Sequence, residues 1–452
     1  MKITHLYSAT ELIESNGVKI LIDPWLVDGE YYGSWCCYPS MKDFNFSTLD
    51  DVDYIYISHI HPDHLSPLTL KRLNKDIPVL IRNYKGGKFV KLNLERLGFK
   101  VIELDDGVRT HLKNDVYINI YGAGYCNPEI CSKMFGCGIN GFDVKMNYGI
   151  SEIDTMCVID DGKYNILNVN DTPYNISKFA LDKVLKDYKK IDILLHGYTG
   201  ASAFPHCFEN YSTDDIKNSI GKKQKDYYIQ FGLDYIEHIK PKYNIPFAGT
   251  YVLGGELSKT IEPIRIFNEI EDAAEYYELN KTCDSETILM NTNTSFDLVT
   301  EKLSEEYVPT DKSHRAKYIK ECLSDLKYDF DDDVLPTLNE LKILCQKAFY
   351  RFDNKREELN YETDTCVYIH LIDEMIFRMS CNGNGYTFIH KNELKDEPSV
   401  SFKVNSKLLS RLLKGPRFAH WNNAEIGCHI LFNRKPDVYD RGIHFCMNYF
   451  HS

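Results

Sequence analysis

Residues Ser58 to Leu65 read SHIHPDHL and directly follow YIYI, part of a β-branched and aromatic run, Asp53 to Ser58, that suits a buried strand. The stretch sets His59, His61, Asp63 and His64 at the end of that strand. Two imidazoles one residue apart on an extended backbone can point to the same side and grip one cation. Asp63 and His64, past the Pro62 turn, can grip a second. Neutral imidazole and carboxylate suit zinc, iron or manganese, whereas structural zinc sites are rich in thiolate. The reading is therefore a site for one or two divalent metal ions, with zinc the first expectation and iron or manganese the alternatives.

Upstream, Asn16-Gly17 separates two alternating apolar runs and predicts a tight hairpin. Downstream, PLTLKRLNK from Pro67 reads as a helix with proline in its first turn. Strands are predicted from Val116, Thr155, Tyr164 and Ile191, and the pattern turns helical and polar from about 205 to 245. FAGTYVLGG, from Phe247, closes the first unit. These readings give an α/β domain over 1–255, a mostly helical connector over 256–350 and a smaller α+β domain over 351–452.

The chain has 452 residues, with 53 Lys and Arg against 66 Asp and Glu, for a net charge of −13. That balance argues against a general nucleic-acid binder, which must neutralise phosphates. At 43% hydrophobic and 13% aromatic the chain is too apolar to be disordered. No run resembles a signal peptide or reaches the length of a membrane span, so a cytoplasmic protein is expected. The 14 cysteines are scattered and read as reduced thiols. Cys126, Cys131 and Cys137 form the closest group, read as small thiols in a Gly-rich loop rather than a cluster site.

The SHIHPDHL stretch matches the H-x-H-x-D-H motif of the metallo-β-lactamase superfamily, and the early strand ending ILIDPW and the later one ending in Asp171 resemble that family's order. The resemblance implies a four-layered αββα sandwich with metals at one edge. Asp171 sits where the family places its bridging carboxylate, and Asp23 where a group orients a histidine. The family supplies a further histidine between these points, yet no His occurs from 112 to 195, which leaves Asn140, Asp143 and Asp154 as oxygen donors. The family's last metal histidine follows a late strand, which points to His196. His206 is a ligand or proton donor, and His238 a surface residue. THLYSATELIESNGVKILIDPWL resembles the branch of L-ascorbate-6-phosphate lactonases and N-acyl-phosphatidylethanolamine phospholipases D. GYTGASAFPHCFEN, IPFAGTYVLGG and the tail from Trp421 resemble CMP-N-acetylneuraminate hydroxylases. The Rieske ligand pairs of that family do not occur in this sequence. SVSFKVNSKLLSRLLKG resembles a sterol-carrier-type α+β unit, read as a packing domain or an aid to enclosing substrate.

The leading expectation is a metal-dependent hydrolase of a phosphorylated small molecule: a sugar phosphate, nucleotide sugar, lactone or phosphodiester. A cation on His59, His61 and Asp171 would lower the pKa of its water to about 7. Asp63 and His64 would hold a second ion or orient that water, and His196 or His206 would protonate the leaving group. The second expectation is a non-haem iron oxygenase component acting on a nucleotide sugar with a separate redox partner. The third is a non-catalytic binding protein with a degraded site. An oligomer is compatible with each.

Overall fold

Asn16 and Gly17 take φ values of 48° and 72°, the left-handed geometry that a two-residue hairpin requires, and they join strands Thr10–Ser15 and Val18–Ile22. The computed structural model describes residues 1–84, 88–123 and 154–452. From this hairpin an eight-stranded sheet grows in the order Lys302–Leu303, Ser295–Asp297, Lys2–Tyr7, Thr10–Ser15, Val18–Ile22, Tyr54–Tyr56, Val79–Arg82, Val101–Leu104. The last four strands are parallel, which sets the C-terminal ends of Val18–Ile22 and Tyr54–Tyr56 side by side.

A seven-stranded sheet faces it, in the order Glu286–Thr287, Tyr243–Phe247, Ile193–Gly197, Asn165–Asn168, Thr155–Asp160, Val116–Gly122, Thr110–Lys113. Between the sheets Ile3, Ile13, Ile20, Ile22 and Leu80 meet Ile118, Ile159, Ile166, Ile193 and Leu195, all buried. Burying each such side chain contributes about 1.5–3 kcal/mol. The opposite face of the second sheet, with Val158, Leu167 and Leu194, packs under helices Tyr174–Asp187, Ile220–Ile239 and Ile270–Asn280. Helix Phe89–Arg96 and the short turn Pro67–Leu70, capped by the Ser66 hydroxyl, lie outside the first sheet. The αββα sandwich is thus the architecture of this chain.

The structure adds two features to the sequence reading. Residues 256–350 are not simply a helical connector, because Glu286–Thr287, Ser295–Asp297 and Lys302–Leu303 add edge strands to both sheets. Runs of two or three residues carry too little alternation to read as strands. The helix that spans residue 351 also packs with the strands of the C-terminal unit. Helix Leu338–Glu358, opened by a Thr337–Glu340 capping box, buries Leu341, Cys345, Ala348 and Phe352 in the same core as Phe377, Met379 and Phe402. That unit has a five-stranded sheet in the order Tyr386–His390, Met375–Cys381, Thr363–His370, Ser399–Val404, Ile430–Lys435. Its core is continuous with the outer face of the first sheet, through Trp25, Tyr31 and Trp35. No described helix is long and apolar enough to cross a membrane.

Glu30 lies buried beneath this junction. Burial pushes its carboxyl up to about 8 from an ordinary 4.5, although Ser66 Oγ at 2.5 Å and the Leu68 amide at 3.3 Å favour the ionised form. A folded-state value above the unfolded one gives stability that is complete below about pH 4.5 and lost as pH rises through about 8. Glu30→Gln should therefore gain on the native protein between pH 5 and pH 9, by on the order of 4 kcal/mol at the upper end. Thermal melts across that range check this; a gap that does not change with pH would contradict it.

Candidate metal centre

Strands Val18–Ile22 and Tyr54–Tyr56 end together, so Asp23 and Ser58 are neighbours on the same sheet edge. The Asp23 amide donates to Tyr56 O, and Asp23 then accepts from the Ser58 amide at 2.7 Å and the Ser58 hydroxyl at 2.6 Å. The chain from His59 to Leu65 curls into one turn in which the amides of His64 and Leu65 donate to His61 O. That turn brings the His59 and His64 rings to 4.1 Å between centroids. From the facing sheet, the loop after Asn165–Asn168 delivers Asp171 to the same edge.

His59, His64 and Asp171 present ligand atoms within 4.8 Å of one another. Asp171 Oδ2 lies 3.5 Å from His64 Nε2, and Oδ1 lies 4.0 Å from His59 Nε2. That Oδ1 is buried without a protein hydrogen-bond partner, a costly state for a carboxylate unless something else binds it. The donor set of imidazole and carboxylate, with an orphaned oxygen aimed into it, fits a divalent cation. His61 Nδ1 is 2.9 Å from His59 Nε2, so His61 borders the same point. Asp63 borders it too, with Oδ2 3.5 Å from His64 Nε2.

The electrostatics agree with that arrangement. Burial holds the His59 imidazole below its ordinary value, in the neutral form a ligand needs. Burial also opposes charge on His64, but the carboxylates of Asp171, Asp63 and Asp23 outweigh it and hold His64 well above the usual histidine range. Asp171, despite its burial, is held far below the usual carboxylate range by His64 and His59.

Outer partners fix these side chains. Asp23 Oδ2 accepts from His64 Nδ1 at 2.8 Å, which turns Nε2 toward Asp171. Ser58 Oγ is 3.0 Å from His59 Nδ1, and Asp154 is 4.0 Å from the same nitrogen, behind the ring rather than at the metal face. Tyr31 Oη donates to Asp63 Oδ1 at 2.5 Å. From the C-terminal unit, Asn422 Oδ1 comes within 3.2 Å of His61 Nε2, and burial pushes the neighbouring His420 down to about 4. Ser58, Tyr31, His420 and Asn422 were not read from the sequence. Ser58 adjoins the motif and was within reach of that reading; Tyr31 and Asn422 reach the site only through the fold.

The structure does not bring His196 or His206 to this cluster. Along Ile193–Gly197, Ile193 and Leu195 face the other sheet, whereas Leu194 and His196 face the helices. The His196 ring packs edge-on against Tyr277 at 5.3 Å, Nδ1 is 3.1 Å from Gly197 O, and burial pushes the group down to about 4. His196→Gln should leave metal content unchanged and lower the melting temperature; loss of metal on elemental analysis would contradict this placement. His206 stands instead with Cys207 and Cys428, in a second group of convergent ligand atoms. His238 is held between Tyr174 at 2.9 Å and Asp182 at 3.2 Å. Cys126, Cys131, Cys137, Asn140 and Asp143 lie outside the described residues.

Residues 2–144 match the family model of the beta-lactamase superfamily domain. The chain is 29% identical over 254 residues to a Mycolicibacterium smegmatis protein named for a Rieske 2Fe-2S iron-sulfur protein, covering 55% of this chain and 43% of that one. It is 25% identical over 276 residues to the human inactive cytidine monophosphate-N-acetylneuraminic acid hydroxylase, covering 60% and 49%. The chain therefore spans less than half the length of these curated relatives. Among solved structures, the isothiocyanate hydrolase from Delia radicum gut bacteria superposes with a TM-score of 0.43 at 16% identity, covering 66% of this chain and 99% of that one.

Proposed function

We propose that this chain, whose residues 2–144 match a beta-lactamase superfamily domain, is a metal-dependent hydrolase working at the His59, His64 and Asp171 edge. The observation that carries the reading is the buried, unpartnered Asp171 Oδ1 set among imidazole nitrogens. His59, His64 and Asp171 would hold one divalent ion, with His61 completing its surroundings. Such an ion supplies a water acidified to a pKa of about 7 and polarises the scissile oxygen of the substrate.

The chain's own groups do the rest. Tyr31, whose phenol burial keeps protonated, donates to Asp63 Oδ1 and leaves Oδ2 facing the cluster. Asp63 Oδ2 takes the proton of the attacking water and returns it to the leaving group, in place of His196, which packs on Tyr277, and of His206, which groups with Cys207 and Cys428. Asp23 and Ser58 keep His64 and His59 oriented. Asn422 and His420, from the C-terminal unit, cover the outer side of His61 and limit access of water. The substrate class is a phosphorylated small molecule or nucleotide sugar; the similarity to a hydroxylase named for a cytidine monophosphate sugar supports the latter.

That same similarity favours a second reading. Two histidines and one carboxylate on one face also suit iron(II) with open positions for oxygen. The chain would then be an oxygenase component fed by a separate electron donor. Turnover of a panel of nucleotide sugars, sugar-phosphate lactones and phosphodiesters under anaerobic conditions separates the two. The hydrolase reading expects product without oxygen or reductant, and a loss of about 10²–10⁴ in rate for Asp63→Asn with metal retained. Product that appears only with oxygen and reductant would replace it with the second reading.

A further inference from the structure

A second convergence of ligand atoms lies away from the edge just described. The loop carrying Ala203 to Asn210 docks on the C-terminal sheet: Cys207 O accepts from the Phe432 amide at 2.8 Å, and the Glu209 amide donates to Phe432 O at 2.8 Å. Asn210 Oδ1 accepts from the Arg434 amide at 2.9 Å. This docking places His206 and Cys207 beside Cys428, which follows helix Trp421–Ile426 and takes a left-handed φ of 61°. All three side chains are buried, with exposures of 3%, 0% and 1%.

Their ligand atoms lie within 4.8 Å of one another, and His206 Nε2 is 3.5 Å from Cys428 Sγ. A tetrahedral zinc with Zn–S of about 2.3 Å and Zn–N of about 2.0–2.1 Å requires an S···N edge of about 3.5 Å and an S···S edge of about 3.8 Å. The observed His206–Cys428 edge meets the first value, and the second falls within the 4.8 Å spread of the three ligand atoms. Two thiolates would neutralise a dication; the nearby Arg265 guanidinium is already paired with Glu262 at 2.8 Å, and the Glu425 carboxylate adds a negative charge near Cys207.

We propose that His206, Cys207 and Cys428 bind a thiophilic divalent cation of the zinc class, separate from the His59, His64 and Asp171 set, and thereby clip the loop of the sandwich to the C-terminal unit. His206 and Cys428 are 222 residues apart in sequence, so the clip closes a long loop at a point where two units meet. The cysteine thiols lose their protons when the cation binds, and these protons pass to solvent. Among the described residues three protein donors converge, which leaves one position of a tetrahedron without a protein donor.

Full-length protein stripped of metal and reloaded with cobalt(II) under reducing conditions tests the assignment. Cobalt on thiolate gives a sulfur-to-metal charge-transfer band, which a nitrogen and oxygen set cannot give. The band should appear in the native chain and in His59→Ala, and be lost in Cys207→Ser and in Cys428→Ser. Because a serine in this core could disturb folding, X-ray absorption at the zinc edge of the unaltered protein is the second measurement. It should show sulfur neighbours at about 2.3 Å. A native chain without the band, a band unchanged in both serine variants, zinc with only nitrogen and oxygen neighbours, or a Cys207–Cys428 disulfide recovered from protein kept under reducing conditions would each overturn the proposal.

Discussion

Asp171→Asn should lower metal affinity by more than about 100-fold while leaving the fold in place. The scale comes from outer partners of metal ligands, whose loss typically costs 10–100-fold, so a direct ligand should exceed it. Asp171 is the only carboxylate of the tight triad, and both of its oxygens face histidine nitrogens, at 3.5 and 4.0 Å. Asparagine keeps the shape but removes the negative charge and turns one oxygen into a donor. That donor would point at the nitrogens a cation needs. It would also remove the largest attraction that raises His64, so less of the imidazole would carry a proton in the metal-free protein. Competition against a chromophoric chelator measures the affinity, and far-ultraviolet circular dichroism follows the fold. Unchanged affinity in a folded Asp171→Asn protein would remove Asp171 from the site.

Asp23 should also have a large effect on metal affinity although it touches no cation. It is fully buried, and its two oxygens accept from the Ser58 amide, the Ser58 hydroxyl and His64 Nδ1. This carboxylate fixes the tautomer of His64 and so decides that Nε2 faces Asp171. Asp23→Asn should lower metal affinity by about 10–100-fold. Asp23→Ala should in addition cost about 3–5 kcal/mol of stability, because His64 and the Ser58 amide lose their buried partner. Chelator competition and denaturant melts separate the two effects. Equal behaviour of Asn and Ala would mean that Asp23 acts through packing alone.

How much of this was legible depends on how local each signal is. The SHIHPDHL stretch holds four ligand-type side chains at the end of one strand, so its chemistry survives any uncertainty about the fold. Asp171 stood out only through the resemblance, since a lone aspartate before Thr-Pro reads equally as a turn. His196 was misplaced for a reason already present in IDILLHG. Strand parity puts His196 on the same face as Leu194, toward the helices, and opposite to Ile193 and Leu195. Tyr31 enters through a turn in which Tyr31 and Tyr32 both take positive φ, 52° and 63°, which no residue preference announces. Asn422 and Cys428 come from the far end of the chain, and only the docking of the C-terminal unit gives them partners. The two- and three-residue edge strands between 286 and 303 were missed because pairing, rather than their own pattern, makes them strands.

Elemental analysis of the native chain beside the His59→Ala, His61→Ala double variant, both purified without oxygen or chelator, tests the metal site most directly. The double variant should lose at least one equivalent of metal relative to the native chain, with an unchanged circular dichroism spectrum. The same metal content in both folded proteins would contradict it.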